Sequence, residues 1–181
     1  DRLADGRLCL PFVKKARRSG YDCKGVHVVR SEADLPQLLS APSVIETAVE
    51  IETEIAVIVA RNGKGEIAAF PPVEMVFSTE ANLVESLISP ARIDPKLEHQ
   101  ARELALHLAD SLDIQGVLAV EFFLDPQGRL WVNEVSPRPH NSGHHTIESA
   151  ITSQYEQHLR AILDFPLGCT DLKRPSVMIN L

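Results

Sequence analysis

The sequence predicts an α+β fold in which antiparallel sheets are flanked by helices. Three observations carry that expectation. Apolar runs of strand length, such as residues 54–61 and 116–124, recur along the chain. Turn sequences suited to hairpins join neighbouring runs, and helical periodicity is confined to segments that do not alternate strictly with the strands.

Taken in order, residues 11–15 and 26–30 read as short strands separated by the Gly- and Ser-punctuated segment 17–25. Ser31 is placed to cap a short helix reaching about residue 39, with Glu32 and Asp34 in its first turn. Residues 44–46 form a brief strand and 54–61, rich in Ile and Val, a long one. Asn62-Gly63-Lys64-Gly65 turns the chain and 66–70 returns. The stretch 67–90 has no clear period, although 82–88 reads as extended.

The strongest helix is 94–112, where Asp94 caps, Pro95 takes the tolerated first position, and Leu97, Ala101, Leu104, Leu108 and Leu112 make an apolar stripe. Strands 116–124 and 129–136 follow, joined by Asp125-Pro126-Gln127-Gly128, a type I turn sequence. A polar loop, 137–144, leads into helical segments from about 146 to 163, and Pro166 and Gly168 end the regular structure.

A chain of 181 residues, 44% hydrophobic and 24% charged, has ordinary globular composition and room for one domain, or one and a small second piece. A globule of this size buries roughly 70% of its unfolded surface and needs no disulfide or metal staple. With 18 basic and 25 acidic residues the net charge is −7, which disfavours a nucleic-acid or anionic-membrane surface. No window approaches the roughly 20 apolar residues of a membrane span. Three cysteines without metal-ligand spacing point to a reduced, cytoplasmic setting. Lys14-Lys15-Ala16-Arg17-Arg18 is either a solvated face or a local basic site.

The sharpest constellation is Glu121 with Glu134. If 125–128 is the loop, Leu124 faces Arg129 and Glu121 lies across from Val132. Glu134 then shares that face as a diagonal neighbour of Glu121, roughly 7 Å away at the backbone. Two carboxylates on a half-buried face repel, so one is protonated or a cation sits between them, unless both lie on a solvated face. Hard oxygens on a rigid hairpin suit Mg²⁺, which completes its shell with waters and nucleotide phosphates. Asn133 alternates to the opposite face unless the strand bends there.

Two loops add chemistry. In the segment 17–25, glycines at both ends permit close backbone approach, and Lys24 with exposed N–H groups suits phosphate oxygens; the other reading is a surface hairpin tip. After Glu134, two prolines extend a loop in which Arg138 offers a bidentate fork. His140 and His144 are also conceivable zinc ligands, but no Cys or Glu-x-x-His pattern accompanies them.

The run Asn133-Glu134-Val135-Ser136-Pro137-Arg138-Pro139-His140-Asn141-Ser142-Gly143-His144 closely matches the Asn-Glu-(Ile/Leu/Val)-(Ala/Ser)-Pro-Arg-x-His-Asn-Ser-Gly-His signature of the ATP-grasp ligases known as 5-(carboxyamino)imidazole ribonucleotide synthases. Gly20-Tyr21-Asp22-Cys23-Lys24-Gly25 looks like that family's lid loop, and the stretches 153–161, 166–168 and 176–181 continue the match. The chain therefore resembles that family over nearly its whole length. Departures are Cys23 and Ser19 where the family has glycines, and Phe77 where it has a nucleotide-contacting His.

The resemblance implies an ATP-grasp fold with a small lid subdomain over 1–47, a catalytic core over 48–165, and the lead-in to a further domain over 166–181. It implies that Lys15 reaches ATP phosphates and that Gly20, Tyr21, Asp22, Cys23, Lys24, Gly25 and Val26 form the phosphate lid. Glu46, Thr47, Ala48 and Val49 would hold adenine, and Glu54 the ribose. Glu121 and Glu134, with Asn133, would hold Mg²⁺–ATP. Arg138, His140 and Asn141, with Tyr21 and Asp22, would face bicarbonate and the aminoimidazole ribonucleotide. The implied activity is ATP-dependent carboxylation in purine synthesis by a homodimer, with family domains at both ends that this chain does not contain. Two other outcomes stay open: a nucleotide-binding module without catalysis of its own, and another ATP-grasp ligase.

Overall fold

The computed structural model describes residues 8–18, 25–38, 40–77 and 84–180. These fall into two compact units, one up to Glu50 and one from Ile51 onward.

The first unit is a three-stranded antiparallel sheet of β1 (Phe12–Ala16), β2 (Val26–Val29) and β3 (Ser43–Thr47), in the order β2-β1-β3. Phe12 pairs with Val29, and both side chains are buried. Between β2 and β3 the chain makes a 3₁₀ turn at Glu32–Gln37 rather than an α-helix, with Pro36 inside it. Its start is held by the Asp34 carboxylate, which accepts the Arg30 and Ser31 N–H groups, each at 2.9 Å.

The second unit is built on a larger antiparallel sheet. Its strands are β4 (Thr53–Arg61), β5 (Ile67–Ala69), β6 (Val73–Phe77), β7 (Val84–Ser89), β8 (Gly116–Leu124), β9 (Leu130–Ser136) and β10 (Ser176–Ile179). The order is β10-β7-β6-β4-β8-β9, with β5 also on β4. Helix α1 (Pro95–Ser111) covers one face of β4 and β8; α2 (Thr146–Ser149) and α3 (Gln154–Ile162) follow the loop after β9. Both faces of β4 and β8 are buried, so these strands read as continuous apolar runs instead of alternating ones.

The core under α1 joins Ile55, Val57 and Val59 to Leu118, Val120 and Phe122. The helix contributes Ala101, Ala105 and Ala109, so small residues let it approach the sheet. Leu112, expected to end the apolar stripe, is instead the exposed C-cap. Asp94 caps the start through Lys96 N–H at 2.8 Å. On the opposite face, Ile58, Ala60, Val117 and Ala119 pack with Phe70 and Ala150.

Two strands were not legible beforehand. β6 lies in the stretch without a clear period, and β10 follows the point where Pro166 and Gly168 were expected to end regular structure. β10 is an edge strand whose pairing with β7 is entirely non-local.

Candidate nucleotide and metal site

The β8–β9 hairpin starts from Asp125. Its Oδ1 accepts the Gln127 and Arg129 N–H groups, and its Oδ2 accepts Arg129 Nε at 2.7 Å and Trp131 Nε1 at 2.9 Å. Burial opposes the charge, but the bonds from Trp131, Arg129 and Gln127 overcome it and hold the carboxyl at about 2. The type I turn closes through Gly128 N–H to Asp125 O at 2.9 Å, and Gly128 then takes φ +74°, the left-handed region. That glycine adds a residue to the loop, so Leu124 faces Leu130 and not Arg129.

A second irregularity follows. Phe122 pairs with Val132, but Glu121 pairs with Glu134, leaving Asn133 as the extra residue of a β-bulge. The bulge breaks the alternation of β9: Val132 stays on the α1 side with Phe122, and Glu134 turns to the other side with Glu121. The two carboxylates are thus direct cross-strand partners, closer than the diagonal arrangement expected from a regular ladder. The strand does bend at Asn133, the condition on which its participation depended.

Glu54 joins this face. On β4, Ala56 pairs with Glu121, and Glu54 lies two residues along, so Glu54, Glu121 and Glu134 all leave the sheet opposite α1. Glu54 is partly buried among apolar neighbours, and burial pushes its carboxyl up to about 7.

The loop after β9 brings His140 to Glu121. His140 Nε2 lies 3.3 Å from Glu121 Oε1, with both side chains largely buried. Its Nδ1 sits 2.9 Å from Ser142 Oγ and accepts the Ser142 N–H at 3.4 Å. Burial, aided by the charge of Arg138, pushes the imidazole down to about 4. The neutral tautomer with its proton on Nε2 therefore satisfies every contact: Nδ1 accepts from Ser142 and Nε2–H donates to Glu121. Asn141 Nδ2 donates to Asn180 Oδ1 at 3.2 Å, while its own Oδ1 is buried without a hydrogen-bond partner. Arg138 is exposed, and its Nη1 donates to Pro139 O. His144 stacks on Tyr155, so it is not directed to a metal with His140. His158 Nδ1 accepts the Val117 N–H, a structural role.

Within the first unit, Lys15 and Glu46 are neighbours on β1 and β3 and form an ion pair at 2.8 Å. Thr47 ends β3, and Ala48 and Val49 line a cavity of about 410 Å³ together with Pro11, Val28, Arg30 and Glu50. Gly25 accepts the Ala16 N–H through its carbonyl, and Val26 opens β2. Gly20, Tyr21, Asp22, Cys23 and Lys24 lie outside the described residues.

Among the described residues, no three His, Cys, Asp or Glu side chains gather into a metal cage, and no helix is long and apolar enough to cross a membrane. Glu74, three residues before Phe77 on β6, is not on this face: it pairs with Ile55, which packs under α1. It is bound by Arg92 Nε at 2.9 Å and by Arg92 Nη2, which lower its carboxyl pKa.

Sequence reasoning missed Gln154, which clamps the His140 main chain from α3. A glutamine in the first turn of a short amphipathic helix carries no signal of burial, because polar residues there read as solvent-facing.

Residues 3–155 match the model of the ATP-grasp domain family. The chain is 45% identical over 178 residues to the N5-carboxyaminoimidazole ribonucleotide synthase of Bacillus subtilis, an alignment covering 96% of this chain and 46% of that protein. It superposes on the ADP complex of an N5-carboxyaminoimidazole ribonucleotide synthetase with TM-score 0.92 at 43% identity, covering 98% of this chain and 48% of the other. On the Aspergillus clavatus synthase complexed with ADP and 5-aminoimidazole ribonucleotide, the TM-score is 0.88 at 33% identity, with 98% and 48% covered. The chain spans about half the length of the curated relatives it matches. With the facing carboxylates on the hairpin, the family match over most of the chain and superposition along nearly all of it, this chain belongs to the ATP-grasp family.

Proposed function

We propose that this chain is the nucleotide-binding portion of a 5-(carboxyamino)imidazole ribonucleotide synthase, a cytoplasmic and homodimeric ligase that carboxylates 5-aminoimidazole ribonucleotide with bicarbonate and ATP. The observation that carries the reading is the direct pairing of Glu121 with Glu134 on a sheet face that also carries Glu54. The match to synthases crystallised with ADP and with the aminoimidazole ribonucleotide supports the choice of substrates.

The donor chemistry fits Mg²⁺. Glu121 and Glu134, with Asn133 at the bulge between them in sequence, offer hard oxygens that would hold the ion, and water and nucleotide phosphate would complete its shell. Bound there, Mg²⁺ supplies charge neutralisation for phosphoryl transfer. Glu54 accepts ribose hydroxyls, and Glu46, Thr47, Ala48 and Val49 take the adenine. Lys15 and the loop Gly20, Tyr21, Asp22, Cys23, Lys24, Gly25 and Val26 neutralise and cover the phosphates, which keeps water from the reaction.

In the first step a bicarbonate oxygen attacks the γ-phosphorus and ADP leaves, giving carboxyphosphate. In the second the exocyclic amine attacks the carboxyl carbon, phosphate leaves, and the amine loses a proton. Arg138, His140 and Asn141, with Tyr21 and Asp22, orient bicarbonate and the ribonucleotide. Neutral His140 gives its one N–H to Glu121, so its part here is to hold that carboxylate beside the substrates, and it brings no positive charge.

The test uses the complete polypeptide that carries these residues. ADP release should depend on the aminoimidazole ribonucleotide and should be abolished in Glu134→Gln. Turnover retained in that variant refutes the metal assignment, and stimulation by a different acceptor refutes the substrate.

A further inference from the structure

Helix α3 carries two glutamines one turn apart, Gln154 and Gln157, and both are 0% exposed. Each amide grips a backbone segment with both of its ends. Gln154 Nε2 donates to His140 O at 2.7 Å while its Oε1 accepts the His140 N–H at 3.0 Å. Gln157 does the same to Gly168, donating at 2.8 Å and accepting at 2.8 Å. The two clamps are alike in burial, chemistry and hydrogen-bond number; they differ in what they hold. Gly168 has no side chain to aim, whereas His140 carries the imidazole that touches Glu121.

The surroundings of Gln154 are built to keep it in place. Its own N–H donates to Thr146 Oγ1 at 2.8 Å, and that hydroxyl donates onward to Gly143 O. A Cβ at Gly143 would run into Gln154 Oε1, so glycine lets the loop lie against the amide. A fully buried amide with both ends paired has one arrangement, because reversing it would set donor against donor and acceptor against acceptor.

We infer that Gln154 is a positioning residue for the metal site: by fixing both main-chain polar groups of His140, it aims Nε2–H at Glu121 and so orients the carboxylate that meets the ion. The inference rests on the reading of Glu121 and Glu134 as ion ligands. Outer partners that orient a ligating group typically change metal affinity 10- to 100-fold when removed, without touching the ion.

The experiment compares Gln154→Leu with Gln157→Leu in the complete polypeptide, titrating Mn²⁺ in the presence of ADP and following free Mn²⁺ by its electron paramagnetic resonance signal. Both variants break one buried clamp, so both should lower the unfolding midpoint. Only Gln154→Leu should weaken Mn²⁺ binding, by roughly 10- to 100-fold. Equal Mn²⁺ affinity in the two variants overturns the inference. Should Gln154→Leu fail to fold, Gln154→Glu keeps the shape while losing the donor to His140 O; at least tenfold weaker Mn²⁺ binding supports the inference, and wild-type affinity overturns it. Glu134→Gln separates the two readings. If it binds Mn²⁺–ADP like the wild type, the ion site itself is wrong; if it loses binding while Gln154→Leu does not, only the positioning role fails.

Discussion

Glu121 stands directly across from Glu134 because Asn133 is an extra residue in β9, and the resulting bulge turns Glu134 away from the α1 side. Like charges directly opposite on antiparallel strands destabilise a sheet. The hairpin therefore carries a local conflict that a cation held between the two carboxylates would relieve.

The first prediction follows from that conflict. Glu134→Gln should raise the thermal midpoint of the ligand-free polypeptide slightly. On the proposed metal assignment, Mg²⁺ with ADP should stabilise the wild type and the same variant should lose that stabilisation. Scanning calorimetry with and without both ligands checks this; a lower ligand-free midpoint with an undiminished ligand shift would contradict it.

A second prediction concerns pH. Burial raises Glu54 to about 7 from an ordinary 4.5, so the folded state holds this proton more tightly than the unfolded state. Its contribution is fully present below about 4.5 and is lost as pH rises through 7. His140 and His145 act in the opposite sense: burial lowers each to about 4, so their contribution is complete above 6.5 and declines as pH falls. The clean readout is the difference between wild type and Glu54→Gln. Denaturant midpoints from pH 4.5 to 8 should show the variant gaining on the wild type as pH rises, and parallel curves would refute the assignment.

Gly143→Ala tests the clamp from the other side. A methyl group would meet Gln154 Oε1 and Cδ, and that amide is fully buried with both ends bonded to the His140 main chain, so moving it breaks the clamp. Overpacking of this kind costs roughly 1–3 kcal/mol. Urea unfolding should show that loss, with an m-value unchanged from the wild type.

The Glu74–Arg92 pair gives a fourth. Glu74 is 9% exposed, and Arg92 is its partner through three nitrogens, its main-chain N–H included. Arg92→Ala leaves the main-chain bond but strips the guanidinium from a largely buried carboxylate, which should lower stability. Because the pair lowers the Glu74 pKa, its contribution is present above 4.5 and fades as pH falls below that value. Unfolding at pH 7 and at pH 3.5 should show a large difference between wild type and variant at the first and a smaller one at the second.

The amino-acid order announced β4, β8 and α1 through apolar period and cap chemistry, which are local quantities. It also announced the turn at Asp125 and the run from Asn133 to His144. Other matters were decided only by packing. Gly128 and Asn133 each insert one residue into the β8–β9 hairpin, and a one-residue change of register exchanges the two faces of a strand. β10 exists because β7 offers an open edge some ninety residues earlier in the chain. Gln154 is inside because a backbone 14 positions away needs its donor and acceptor. Hydrophobic period reports which side of an element faces inward, but register and buried polar pairing depend on contacts between distant segments, and those are settled only when the segments meet.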